Sequence, residues 1–352
     1  MKQRLQELDA LRGIAAVLVV LFHYTMDRDD VGVRFTYGVT GVDLFFIISG
    51  FVIFLSISRT SSWKEFVLNR LIRLYPTYWL CASVTASLIL LSSLLKGKAI
   101  DGLFLKYIVN LSMFQYYFLV KDLDGPYWTL IIEMLFYIGI LFLWLVKQKN
   151  RIEIIGYAFL AFVLVHDLFL EQFNLSLYHF LKHKLPIMKH FPMFLAGILF
   201  YKIKFEKETA ARYLGVAFCL AAAAVLADDL KSSLILQRSE YTIIISFYFC
   251  IWLLYIKNKL NFIVSKATLF LGRISYSLYL IHQFISISLI IPLLTNQMEI
   301  NFWIAALVAL AVSIGSASLI TILFEEPIIR MLKRSIKECR AHDAREIYAT
   351  KN

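Results

Sequence analysis

Apolar runs long enough to cross a bilayer recur along almost the whole 352-residue chain. A hydrocarbon core takes about 20 helical residues. Ten runs approach that length: residues 8–24, 41–58, 75–95, 128–146, 152–170, 188–201, 213–228, 240–256, 269–293 and 302–324. The pattern predicts an all-α polytopic membrane protein of about ten transmembrane helices, with a membrane-embedded domain over 1–329 and a basic tail over 330–352. Residues 103–120 are also apolar, but Lys106, Asn110, Ser112 and Gln115 interrupt them, and an eleventh span there would move every later basic cluster to the other side. That stretch is expected to lie at the interface or to re-enter. The first run carries charge and has no small-residue cleavage site after it, so it reads as a span rather than a signal peptide.

Composition agrees: 60% of residues are hydrophobic and the mean hydropathy is +0.70, above the apolar half typical of soluble domains. A formal net charge of +11 raises the question of nucleic acid, and the placement of that charge answers it. With the N-terminus in the cytoplasm, 25 of the 36 Lys and Arg residues fall on the inner side, among them Lys147, Lys149, Arg151, Lys202, Lys204 and Lys207. This is the positive-inside pattern, which puts both termini in the cytoplasm and the charge against membrane lipid, with no nucleic acid partner. Cys81, Cys219, Cys250 and Cys339 show no paired spacing, and no His and acid pair has ligand spacing on a shared helix face, so neither a disulfide framework nor a metal site is expected.

Ionisable residues inside the apolar runs are the candidates for chemistry, because charge in hydrocarbon is expensive and by default marks a pathway or a reaction centre. The first run holds Asp9, Arg12 and His23. Eleven steps of about 100° bring Arg12 and His23 to nearly one face, and the helical rise sets them roughly 16 Å apart. Such a face suits a long, thin ligand anchored by charge at one end and reacting at the other. Asp43 opens the second run, either as a carboxylate favoured by the helix dipole or as a partner that orients His23. Arg70 and Arg73 share a face of a segment, Trp63 to Pro76, expected to be an interfacial helix ending at the proline. They suit either a phosphate clamp or lipid headgroups.

Glu133 lies within the run after Tyr127 and Trp128 and needs a partner or a proton. Ser275, Tyr279 and His282 fall on one face of the ninth run; a histidine so placed serves either the site or an interhelical hydrogen bond. Glu325 and Glu326 close the last run, where the helix C-terminus disfavours them, so basic partners are expected among Arg12, Arg70, Arg73 and Arg273. His166, His179, His183, His190 and His342 sit in or near loops and carry little signal.

Taken together these stretches resemble the acyltransferase-3 family of integral membrane transacylases. The resemblance rests on Leu8-Asp9-Ala10-Leu11-Arg12-Gly13 with His23, on Gly41-Val42-Asp43-Leu44-Phe45-Phe46, and on Arg70 and Arg73 leading into Leu74-Tyr75-Pro76. It continues through Tyr127-Trp128-Thr129 with Glu133, Ser275-Tyr276-Ser277-Leu278-Tyr279-Leu280-Ile281-His282, and Glu325-Glu326-Pro327, in order along essentially the whole chain. Thr129 stands where the family commonly has serine, and no added esterase-like domain follows.

The resemblance implies a multi-pass enzyme of the bacterial inner membrane that takes an acyl group, most often acetyl, from cytoplasmic acetyl-CoA or another acyl-CoA and delivers it to a hydroxyl of an extracytoplasmic glycan or glycolipid. No permanently bound cofactor is implied. In that scheme Arg12, Arg70 and Arg73 hold the donor, His23 is general base or transient acyl carrier, and Glu133 or Asp43 orients it. Trp128, Tyr127 and His282 line the acceptor side, and Asp9, Glu325 and Glu326 belong to the inner rim. The rival reading is a transporter or flippase in which buried Arg12, His23 and Glu133 relay protons or carry a polar solute, and acyl-CoA binding separates the two.

Overall fold

The computed structural model describes residues 5–28, 30–60, 62–170 and 176–349. These form a bundle of α-helices: α1 Gln6–Thr25, α2 Gly41–Ser58, α3 Trp63–Leu95, α4 Leu103–Asn110, α5 Trp128–Leu145, α6 Ile152–Val165, α7 Ser176–Lys184, α8 Phe191–Phe205, α9 Ala210–Val225, α10 Arg238–Ile256, α11 Lys266–Gln283, α12 Phe302–Ile320 and α13 Glu326–Ala349. Nine described helical segments are long and apolar enough to cross a membrane. The tenth expected span is α8, whose 15 residues reach only ~23 Å. Apart from Lys202 and Lys204 in its last turn its sequence is apolar, and it lies buried from Pro192 to Ile203, so it is a core helix wrapped by the others rather than a lipid-facing one. Large apolar side chains such as Leu94, Phe142, Phe247, Leu307 and Leu319 are exposed on the outside of the bundle, where lipid takes the place of water.

Residues 103–120 do not form a span. They give the short helix α4, a turn at Met113 with positive φ, and one turn of 3-10 helix at Gln115–Phe118. The buried Asn110 side chain closes this excursion by donating to Lys106 and Lys121 carbonyls and accepting from the Leu123 N–H.

One expectation fails. The segment carrying Arg70 and Arg73 is not a separate interfacial helix ended by Pro76; α3 runs unbroken from Trp63 through the proline to Leu95. A proline inside a helix removes one N–H, and neighbouring helices in a bundle make that tolerable. The carbonyl that Pro76 leaves without its helical donor is that of Ile72; α11 packs along this stretch of α3, with the Tyr276 hydroxyl donating to the nearby Leu74 carbonyl at 3.1 Å. The result holds both arginines on the same rigid rod as the span.

The two most extensive helix contacts are α1 with α11 and α2 with α8, and glycines set both. A Cβ on Gly13 would lie 2.6 Å from the Gly272 nitrogen, and one on Gly272 would lie 2.0 Å from the Asp9 carbonyl oxygen. Likewise a Cβ on Gly50 would meet the Phe194 carbonyl oxygen at 2.1 Å, and one on Gly197 the Ile47 carbonyl oxygen at 2.1 Å. Small residues let backbones approach this closely, which is how apolar helices associate where lipid offers no hydrophobic drive. Both pairs are parallel. Gly13 meets Gly272 and, ten residues on, His23 meets His282, at one constant offset of 259. Gly50 and Gly197 pair as Asp43 and His190 do seven residues before them.

Candidate active site

Three cavities follow one another through the bundle. The first, about 490 Å³, opens among the start of α1, α3 and the start of α13, and is lined by Arg12, Arg59, Arg70, Arg73, Arg273 and Lys333, with Asp9 and Glu325 among them. Arg12, Arg70, Arg73 and Tyr276 also line a narrower space of about 80 Å³ that leads inward to Glu133, Ser275 and Tyr279. The third, about 180 Å³, contains His23, Asp43, Trp128, His190 and Tyr279 in its walls. Tyr279 and Val42 line both the second and the third and so form the partition between them. The phenol is held there by the Thr129 hydroxyl at 2.8 Å and by donation to the Pro126 carbonyl at 3.2 Å.

At the arginine end, Arg12 stands 4.0 Å from Asp9, and Arg70 donates weakly to Ser56 at 3.4 Å, leaving its Nε without a hydrogen-bond partner among the described residues. Clustered guanidinium groups that are not consumed by carboxylates are a site for phosphate oxygens. The two terminal glutamates divide. Glu326 takes Arg273 in a bidentate pair at 2.6 and 2.7 Å, whereas Glu325 accepts from the Ser277 hydroxyl at 3.0 Å and faces the mouth. Thus of the four arginines expected near these acids, Arg273 makes the ion pair.

At the other end, hydrogen-bond partners define the state of His23. Its Nδ1 lies 2.8 Å from the Val19 carbonyl oxygen and 3.1 Å from His282 Nε2. A carbonyl only accepts, so Nδ1 carries the hydrogen and shares it between the two. His282 agrees, since its own Nδ1 lies 3.1 and 2.9 Å from the Leu278 and Tyr279 carbonyl oxygens, which makes Nε2 its acceptor. Both protons are fixed by backbone carbonyls, and His23 Nε2 is left as a lone pair. That is the atom a general base needs.

This corrects the expected orienting partner. Neither Glu133 nor Asp43 touches His23; His282 and Val19 do. Glu133 lies on the arginine side of the partition, accepting from Ser49 at 3.1 Å and from Tyr137. Asp43 accepts from the Tyr241 hydroxyl at 3.2 Å and stands 4.0 Å from His190 Nδ1. The reason is helical register: His23 lies on the α11 side of α1, while α2 turns Asp43 toward α8. Trp128 is in the cavity wall, with the Lys231 ammonium 4.3 Å from its ring centre. Tyr127 is in none of the three walls; it is fully buried, edge-on to Tyr78 at 5.1 Å.

His190 was missed in the sequence, where it reads as a loop histidine. Only the pairing of α2 with α8 singles it out, since it precedes Gly197 by the seven residues that separate Asp43 from Gly50. Among the described residues no group of three or more His, Cys, Asp and Glu is arranged to hold a metal ion.

The site is thus a row of cavities in an all-helical membrane bundle, with an arginine-lined mouth at one end and a histidine-lined cavity at the other. The chain belongs to the acyltransferase-3 family, whose acyltransferase domain matches residues 5–322. It is 31% identical over 160 residues to the exopolysaccharide production protein ExoZ of Rhizobium meliloti (strain 1021), covering 41% of this chain and 45% of that one. It is 33% identical over 162 residues to the membrane-bound transacylase BcsY of Komagataeibacter xylinus, covering 43% and 40%. Similarity to acetyltransferase ORF330 of Acidianus two-tailed virus is lower, 23% over 275 residues, and covers 77% and 80%. The matched part thus spans under half the length of ExoZ and BcsY. No solved structure gives a significant match.

Proposed function

We propose that the protein is a membrane O-acyltransferase that moves an acyl group, acetyl in the simplest case, from acyl-CoA to a hydroxyl of a glycan or glycolipid. Arg12, Arg70 and Arg73 hold the donor's phosphates at the mouth, and its thioester reaches inward past Tyr279. His23 Nε2 takes the proton of the acceptor hydroxyl as that oxygen attacks the thioester carbonyl. The C–S bond then breaks and the thiolate receives the proton from the imidazolium, leaving an ester and a free thiol. His282 steadies the imidazolium by accepting the Nδ1 hydrogen, as an orienting partner does for a catalytic histidine. The arginine end faces the cytoplasm, where acyl-CoA is found and where the basic loops would lie in a bacterial inner membrane.

One observation carries this reading: the lone pair of His23 is left free by two carbonyl-fixed protons, at the far end of a row of cavities that begins at a mouth where cationic side chains outnumber carboxylates. The names of ExoZ and BcsY supply the glycan and transacylase context. The test is purified protein in nanodiscs with radiolabelled acetyl-CoA, wild type against His23→Ala. His23-dependent loss of thioester supports the enzyme, and label trapped on the protein identifies an acyl-histidine route. Failure to bind or consume acetyl-CoA would instead favour a transporter.

A further inference from the structure

His190 is 4% exposed, and neither ring nitrogen has a hydrogen-bond partner among the described residues. Leaving a buried polar group unpaired is costly, so such a group in a cavity wall calls for something that enters the cavity. The imidazole is not loosely placed. Phe46 and Trp128 hold its ring at centroid distances of 5.0 and 5.6 Å, and α8 is locked to α2 through Gly50 and Gly197. Asp43 stands behind Nδ1 at 4.0 Å, itself anchored by Tyr241. The same cavity contains His23, whose own hydrogen-bonding needs are met apart from Nε2. At about 180 Å³ the cavity has room for a sugar ring.

We propose that His190, backed by Asp43, positions the acceptor by hydrogen-bonding a second hydroxyl on the ring whose reacting hydroxyl is presented to His23. The acceptor is then a polyol in which at least two hydroxyls are required, one for each histidine. This rests on the acyltransferase reading, and it makes His190 a positioning residue that carries no proton of the reaction. An acceptor lacking the second hydroxyl leaves the imidazole without that partner, and sites built to bond a hydroxyl discriminate against analogues without it.

The experiment measures acetyl transfer from acetyl-CoA to methyl glucoside and to its four monodeoxy analogues by wild type, His190→Phe and His190→Gln in nanodiscs. Wild type should favour the parent sugar over one of the deoxy analogues by about 5- to 150-fold in kcat/KM, the range for stranding a buried polar group. His190→Phe should flatten that ratio towards one through KM for the sugar, and His190→Gln, which can still bond a hydroxyl, should restore much of it. Equal ratios in wild type and His190→Phe overturn the inference, as does His23-dependent hydrolysis of acetyl-CoA with no transfer to any sugar. Absence of any reaction with acetyl-CoA overturns the acyltransferase reading itself.

Discussion

Gly272→Ala is a one-methyl change ten residues along α11 from His282, and it should nearly silence transfer. The new Cβ would lie 2.0 Å from the Asp9 carbonyl oxygen and 2.6 Å from its carbonyl carbon. Ordinary van der Waals contact needs about 3.4 Å, so α1 and α11 must separate by about 1.4 Å. Backbone cannot swing aside as a side chain can. Carried rigidly along the parallel pair, the shift stretches the 3.1 Å His23–His282 contact to about 4.5 Å, outside hydrogen-bonding range. Misplacement of about 1 Å costs on the order of 100-fold in rate. Helix propensity pushes the other way, since alanine favours the helix over glycine by ~1 kcal/mol, so insertion into the membrane should survive. The assay is His23-dependent acetyl-CoA turnover in nanodiscs beside a thermal melt. Full activity in Gly272→Ala would refute the claim that this glycine contact sets the histidine pair.

Removing the partner directly, His282→Ala, should lower turnover on the order of 100-fold by freeing the His23 ring, with acetyl-CoA affinity kept; isothermal titration and turnover together separate the two. Arg73→Ala should weaken acyl-CoA binding by roughly 10- to 150-fold, the loss of one charged hydrogen bond, with a binding constant less sensitive to salt than that of wild type. Gly197→Ala should act on the other pair, disturbing His190 and Asp43 through the Ile47 carbonyl, so the Michaelis constant for the acceptor should rise more than that for acetyl-CoA. Asp124, in the loop before α5, supplies a pH test. Burial pushes its carboxyl up to about 6, against the pull of the Phe284 and Gly125 N–H groups that donate to it. Because the folded value exceeds the unfolded one, its contribution to stability is complete below about pH 4 and is lost as pH rises through about 6. The difference in melting temperature between wild type and Asp124→Asn should therefore move against wild type across that window, and parallel profiles would disprove it.

Much of the fold is legible because length and hydrophobicity are local properties. The ten apolar runs map onto α1, α2, α3, α5, α6, α8, α9, α10, α11 and α12, and four polar residues together with the placement of the later basic clusters point away from a span at 103–120. Pro76 misleads because whether a helix continues through a proline depends on what packs against it, which a sequence window does not contain. The site is legible in its residue types but not in its pairings. Arg12, Arg70 and Arg73 converge as the spacing suggests, whereas Glu133 and Asp43, the natural choices to orient His23, lie elsewhere. Which helix faces which is decided by glycine contacts between segments 147 and 259 residues apart. His190 shows the limit: nothing around it in the chain distinguishes it from its neighbours until α8 is set beside α2.

The partition at Tyr279 bears on the economy of the cell as well as on the reaction. Polar chambers reaching toward each other from opposite ends of a bundle come close to being a pore, and a pore in an energised membrane leaks protons. One phenol ring, with Val42 beside it, stands between the arginine chamber and the histidine cavity. It is seated against Phe45 at 5.8 Å and pinned at its hydroxyl to Thr129 and Pro126. In the proposed reaction, the side chain that the donor passes is thus also an insulator. On that proposal a smaller residue there would ease the passage of the thioester and at the same time give ions a path, which ties the proposed traffic through this position to the conductance of the membrane.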